Sequence, residues 1–206
     1  MTEFLNVDVP EKATREILYA TGTLSNGDTL HVFVNHWPSK YGGELVSEPR
    51  RLKAARVLRA KVDSIYGANS NSNIVIMGDL NDYPVNAAVK DTLEAVAFNG
   101  TIQPKTLYNL MFKYCGSGSI GTHYYAGEWG VLDHMIVSPS MLDTKSNTYC
   151  RPDDVMIFYE DFMLEKNAKG VKVPKRSFKG NFFSYKGYSD HLPIYLDVQL
   201  NAKSSK

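Results

Sequence analysis

With 206 residues, 43% of them hydrophobic and 22% charged, the chain has the composition of one globular domain with room for a sizeable core, which excludes a disordered or fibrous protein. A net charge of +1 makes no global electrostatic case for nucleic acid, and neither selects nor excludes a phosphate-bearing substrate; basic residues gather only locally, over 50–61 and 166–186. Two cysteines, Cys115 and Cys150, exclude a cysteine metal cluster and read as free thiols; no window approaches the ~18 apolar residues of a membrane helix, and 1–10 lack a signal-peptide pattern, so the chain as it stands reads as soluble.

Residues 1–13 show little periodicity and read as a short leader, 14–200 as the domain and 201–206 as a polar tail. Thr14 to Leu24 is strand-like, Asn26-Gly27-Asp28 is hairpin-turn chemistry, and Thr29 to Trp37 is the return strand, stopped by Pro38 with Asn35 and His36 at its end. A loop through Gly42-Gly43 leads to a helix that Pro49 can open. Leu52, Ala55, Val57, Leu58, Val62, Ile65 and Tyr66 recur there at helical spacing, and Arg50, Arg51, Lys53, Arg56, Arg59 and Lys61 read as its solvated face.

The stretch Asn73-Ile74-Val75-Ile76-Met77-Gly78-Asp79-Leu80-Asn81-Asp82 follows. Its apolar run predicts a strand buried on both faces, broken at Gly78 into carboxylate and amide side chains. If the backbone stays extended, Asp79 and Asn81 point the same way, a pairing that suits a hard cation and a phosphate; Gly-Asp-x-Asn is also ordinary turn chemistry. Strand, helix, strand is a crossover unit, so this strand and the one ending at His36 are parallel if adjacent, with their ends on one rim.

Pro84 and Asn86 introduce a predicted helix over 87–96. Two short strands follow, Gly121 to Tyr125 and Leu132 to Ser138, with Gly127-Glu128-Trp129-Gly130 as the turn between them. The second opens with Asp133 and His134, and an antiparallel course brings Asp133 to the same rim. Residues 144–186 read as long irregular basic surface with interleaved aromatics. A last strand is preceded by Ser189-Asp190-His191-Leu192-Pro193. His36, Asp79, Asn81, Asp133, Asp190 and His191 thus all border predicted strands, a carboxylate, amide and imidazole set that suits Mg²⁺ and phosphate-ester chemistry. His123 and His134 read as substrate contacts or structural histidines, and Trp37 and Trp129 as packing.

Four pieces in order, Asn35-His36-Trp37 with Ser39-Lys40 and Gly42-Gly43, Gly78-Asp79-Leu80-Asn81-Asp82, Leu132-Asp133-His134, and Ser189-Asp190-His191-Leu192-Pro193, resemble the endonuclease/exonuclease/phosphatase superfamily over 14–200, in wording close to its bacterial, often exported members. The resemblance implies an α/β (α+β) four-layer sandwich, two mixed β-sheets flanked by helices. It implies hydrolysis of a phosphate ester, most simply a phosphodiesterase or nuclease reaction; the alternatives are a phosphomonoesterase on an inositol phosphate or other small molecule, and a phospholipid headgroup hydrolase. By similarity His191 with Asp133 is general base or orienter, and His36 contacts the phosphate. Asp79 and Asn81 orient nucleophile and phosphate near the metal, and Asp190 joins them in the metal shell. Lys40 and His123 join His36 and Asn81 as phosphate contacts. Mg²⁺ is the implied cofactor, with Mn²⁺ or Ca²⁺ as substitutes, and the partners are a nucleic acid, a phospholipid headgroup or a small phosphorylated molecule. Family members carry a further N-terminal portion with a metal-binding glutamate, for which Glu3 and Glu11 offer no matching context. On that comparison N-terminal strands are missing, unpaired strand edges favour self-association, and a catalytically weak or inactive phosphate-binding remnant is the further alternative.

Overall fold

The computed structural model describes residues 1–7, 14–116, 120–179 and 182–201. Part of the expected leader, Glu11 with it, and most of the expected tail lie outside the described residues. The strands up to the second helix are β1 (Thr2–Leu5), β2 (Ile17–Thr23), β3 (Thr29–His36), β4 (Asn73–Asp79), β5 (Ala95–Val96), β6 (Leu107–Asn109), β7 (His123–Tyr125), β8 (Glu128–Gly130) and β9 (Asp133–Val137). Helix α1 (Glu44–Ala68) crosses from β3 to β4, and the short α2 (Pro139–Leu142) follows β9. Beyond it run β10 (Thr148–Tyr149), β11 (Val155–Ile157), β12 (Leu164–Lys166), β13 (Lys172–Pro174), β14 (Phe178–Lys179), β15 (Phe182–Phe183), β16 (Ile194–Leu196) and β17 (Gln199–Leu200).

Seven strands form one mixed sheet in the order β1-β2-β3-β4-β9-β6-β5. β3 and β4 are parallel neighbours, as a helical crossover requires, and β9 runs antiparallel to β4. The period-two alternation of β4 builds two cores. Ile74 and Ile76 meet Phe33 and Ile136 against Ala54, Ala55, Leu58 and Val62 of α1. Val75 and Met77 face the other way, with Met135 and Val137, toward Val155, Ile157 and Leu192. Part of that second face is covered by the antiparallel pairs β10–β17 and β11–β16, which form the second β layer among the described residues.

Local readings of the sequence change in several places. Residues 2–5, read as part of a leader, pair with β2 as the edge of the sheet. Helix α1 starts at Glu44, before Pro49, and its first turn is held by Glu44 pairing with Lys40 and Arg51. Arg51, expected on the solvated face, is fully buried. The predicted helix over 87–96 is one π turn, Ala88–Thr92, followed by β5, because Glu94 takes a left-handed φ of 59° that a helix cannot continue. Glu128–Gly130, expected as a turn, is strand β8; the reversal occurs at Ala126 and Gly127, both at positive φ. The stretch read as irregular carries the hairpins β12–β13 and β14–β15.

Candidate active site

His36, Asp79 and Asp133 occupy one cross-strand row. His36 is opposite Asp79 in the parallel β3–β4 register, and Asp79 is opposite Asp133 in the antiparallel β4–β9 register. Alternation from Val75 and Met77, and from Met135 and Val137, carries Asp79 and Asp133 to the face of the second β layer. There His36 Nε2 lies 3.5 Å from Asp79 Oδ2. His191 arrives from the segment before β16: its Nδ1–H donates to Asp133 Oδ2 at 2.7 Å, and its Nε2 lies 3.9 Å from Asp79 Oδ2. A carboxylate accepts only, so the pairing places the proton on Nδ1 of neutral His191 and leaves Nε2 as an acceptor.

Gly78 makes the close packing of this row possible. Its φ is 121°, and a Cβ there would run into the Asn35 carbonyl oxygen, so a glycine is required where β4 meets β3. Asn81 leaves the extended course that would have aimed it alongside Asp79. It sits at φ 51°, and both its backbone N–H and its Nδ2 turn back onto Asp79, at 2.8 Å to Oδ1 and 3.1 Å to Oδ2. The same Nδ2 donates to the Trp37 carbonyl at 3.0 Å, and Trp37 N–H donates to the Asp79 carbonyl at 2.9 Å. Both neighbours of that amide nitrogen are acceptors, which fixes its orientation. Asn81 therefore clamps Asp79 and ties the ends of β3 and β4 together. Trp37 is buried in the core, with its indole N–H on Asn35 Oδ1.

The remaining predicted residues separate into two neighbourhoods. Lys40 pairs with Glu44 at 2.9 Å and with Asp82 at 3.2 Å, and Arg51 Nε lies 2.9 Å from the other Asp82 oxygen. Asp190, exposed, lies with His123 and His191, their ligand atoms all within 4.8 Å of one another, while Asp79 groups in the same way with Asp133 and His191. His134 is wholly buried, its Nε2 2.9 Å from the Asp82 carbonyl and its Nδ1 2.7 Å from Asn109 Nδ2.

Residues absent from the sequence-derived set also shape the site. Thr122 is fully buried: its hydroxyl accepts from the N–H groups of Leu132 and Asp133, and its carbonyl accepts from Leu192 N–H at 2.7 Å. It joins the segments that carry Asp133 and His191. Asp82 and Arg51 form a buried ion pair beneath the loop that follows His36. A polar residue within the helix's buried stripe was the one signal for Arg51, and a run of basic residues around it hid that signal.

The electrostatics of the rim are those of crowded carboxylates. Burial, and next the charge of Asp133, push the Asp79 carboxyl up to about 6, against opposing influences from His191, Asn81 and Arg15. Burial alone would lower His191, but its hydrogen bond to Asp133 and the charges of Asp133, Asp79 and Asp190 raise it above the ordinary imidazole range. His36 is lowered, first by burial and then by Arg15 and His191. Asp82 has Arg51 and Lys40 paired with it, whereas among the described residues Asp79 and Asp133 have imidazoles and an amide as direct partners, with Arg15 acting on Asp79 from farther away. Asp79, Asp133 and His191 each present a ligand atom, all within 4.8 Å of one another. Excess negative charge and oxygen donors fit a divalent cation there.

The rim is open. A cavity of about 930 Å³ lies at the other end of the sheet, lined by Thr29, His31, Lys61, Asn73 and Ser140, away from this row. No described helix is long and apolar enough to cross a membrane.

The family model described as Endonuclease/Exonuclease/phosphatase family matches residues 2–200. The chain belongs to this family. Solved structures agree in fold. A humanized D. rerio TDP2 carrying 14 mutations is 17% identical with a TM-score of 0.55, the match covering 96% of this chain and 65% of that one. A mannosyl-6-phosphatase of Bacteroides thetaiotaomicron is 14% identical with a TM-score of 0.55, covering 96% and 64%. The catalytic domain of human Nocturnin, with a bound sulfate, is 14% identical with a TM-score of 0.56, covering 98% and 59%. The chain thus spans 59–65% of the length of these three structures. No functionally curated protein matches its sequence. The family name joins nucleases and phosphatases, both of which hydrolyse phosphate esters. Glu3 is ion-paired with Lys61 of α1 at 2.8 Å.

Proposed function

We propose that this family member hydrolyses a phosphate ester by attack of water on phosphorus, with His191 as the base. The observation that carries this reading is the His191–Asp133 pair at 2.7 Å, whose free Nε2 is directed toward the row of Asp79 and His36. Asp133 holds the imidazole in the tautomer that accepts a proton at Nε2 and stabilises the imidazolium that results. His36, on the opposite flank of Asp79 and about half exposed, is placed to contact a phosphoryl oxygen or to return a proton to the leaving group. Asn81 keeps Asp79 in place through two hydrogen bonds, so that both carboxylates face the same point.

Asp79 and Asp133 would hold the divalent cation, Mg²⁺ by family analogy with Mn²⁺ as a substitute. Bound there, such an ion supplies positive charge against the charge that grows on the phosphoryl oxygens. A phosphodiester is the favoured substrate class, because the family description names endonucleases and exonucleases, which cleave phosphodiesters, ahead of phosphatases. The test is release of p-nitrophenol from bis-p-nitrophenyl phosphate and from p-nitrophenyl phosphate by the purified chain in Mg²⁺ or Mn²⁺. Turnover of the diester is expected to exceed that of the monoester. Preference for the monoester would replace the diesterase reading with a phosphatase one, and turnover of neither in either ion would remove the hydrolase reading.

A further inference from the structure

His191 belongs to a second constellation whose chemistry differs from that of the carboxylate pair. It also meets His123 of β7 and Asp190, and the three present ligand atoms within 4.8 Å of one another. The arrangement is fixed by backbone. His123 and His191 are partners in an antiparallel bridge, reinforced by the Leu192 N–H bond to the Thr122 carbonyl at 2.7 Å. Their rings lie side by side, with centroids 4.6 Å apart and planes inclined by 34°. Among the described residues, no hydrogen bond occupies the His123 ring nitrogens or the Asp190 carboxylate.

Two imidazoles and one carboxylate are the donors of a borderline ion. Mg²⁺ and Ca²⁺ take oxygen ligands almost exclusively, whereas imidazole suits Zn²⁺ and its neighbours in the transition series. A histidine that binds such an ion ordinarily donates its other ring N–H to a carboxylate, which orients the ring and makes it a better ligand. His191 already does so, through Nδ1 to Asp133 at 2.7 Å.

We infer that His123, Asp190 and His191 form a binding site for a borderline divalent cation, with Zn²⁺ as the reference ion, distinct in donor set from the carboxylate pair of Asp79 and Asp133. The site leaves a fourth position for water, as a three-ligand zinc site does. It has a consequence that rests on the proposed hydrolase reading. The ion takes the Nε2 lone pair that His191 would use to accept a proton, so Zn²⁺ bound here opposes turnover.

The test is titration calorimetry of Zn²⁺ into the chelator-stripped, tag-free chain without substrate, a readout that does not depend on turnover. One high-affinity site is expected. His123→Ala, His123→Gln and Asp190→Asn should each weaken it at least tenfold, while Asp79→Asn should change it less than threefold, with far-ultraviolet circular dichroism confirming that each variant is folded. Unchanged affinity in the folded His123 variants would overturn the assignment. Equal loss in Asp79→Asn would also overturn it, by moving the ion to the carboxylate pair. Zn²⁺ that binds as assigned but leaves the Mg²⁺-supported rate unaltered would overturn the inhibitory consequence alone.

Discussion

Asp79 is held by a neighbour two residues away, and that contact depends on backbone conformation as much as on the amide. Asn81 sits at φ 51°, where a side chain with a Cβ is strained by roughly 1–2 kcal/mol and glycine is not. Asn81→Gly therefore removes the amide bonds to Asp79 and Trp37 but relieves the strain, while Asn81→Ala removes the same bonds and keeps it. Urea denaturation should find the alanine variant less stable than the glycine variant by about 1 kcal/mol, and the reverse order would contradict the clamp geometry. His134 gives a second residue-scale prediction. Its Nδ1 faces the Asn109 amide and its Nε2 the Asp82 carbonyl, so the neutral ring is satisfied and a proton on Nδ1 has no acceptor. Burial accordingly pushes its pKa down to about 4. The unfolded chain binds this proton more readily than the folded one, so the contribution of His134 to stability is complete above about pH 6.5 and is lost as pH falls toward 4, by roughly 3 kcal/mol. Unfolding free energies of the parent and of His134→Gln, compared at pH 7.5 and 4.5, should show a smaller acid loss in the variant.

At the scale of elements, the crossover from β3 through α1 to β4 places His36 and Asp79 side by side, and its first turn rests on charge. Arg51 and Asp82 are both buried and pair at 2.9 Å, with Glu44 and Lys40 completing the group. Replacing one partner leaves the other charge without compensation, so Arg51→Ala should cost about 3–5 kcal/mol in urea denaturation and should disorder the loop after His36. A loss below 1 kcal/mol would show that this network does not anchor the loop. The sequence disclosed the crossover plainly: apolar residues at helical spacing between two strand-like runs, with parallel pairing as the consequence. It disclosed Arg51 poorly, because the place of this guanidinium on the buried stripe is masked by the solvated basic residues around it. The turn at Ala126-Gly127 was hidden for a similar reason. Gly127 and Gly130 both read as turn residues, yet Gly127 takes a φ of 100° in the reversal, while Gly130 lies in β8, where a Cβ would meet the Tyr83 side chain.

Across the whole molecule, one sheet separates two cores and its strand ends gather the reactive side chains. Strand ends were legible because apolar runs stop abruptly at His36, Asp79 and Asp133. That all three form one row was not, since register depends on pairing partners far apart in sequence. The grouping of Asp190 and His191 with His123 was equally hidden: it follows from the bridge between His123 and His191, which no local pattern announces. The second face remains uncovered toward the sheet edge, where Phe4, Leu18, Val34 and Met77 form a cross-strand row and Phe4 is 63% exposed. The family assignment fixes the fold that carries this rim, while the chemistry rests on the pair of His191 and Asp133. The most direct measurement is kcat/KM for bis-p-nitrophenyl phosphate in Mn²⁺ for the parent chain and for His191→Ala, with both proteins shown to be folded. A fall of about 10²–10⁴ is predicted for loss of a general base, and a variant within threefold of the parent would contradict the account.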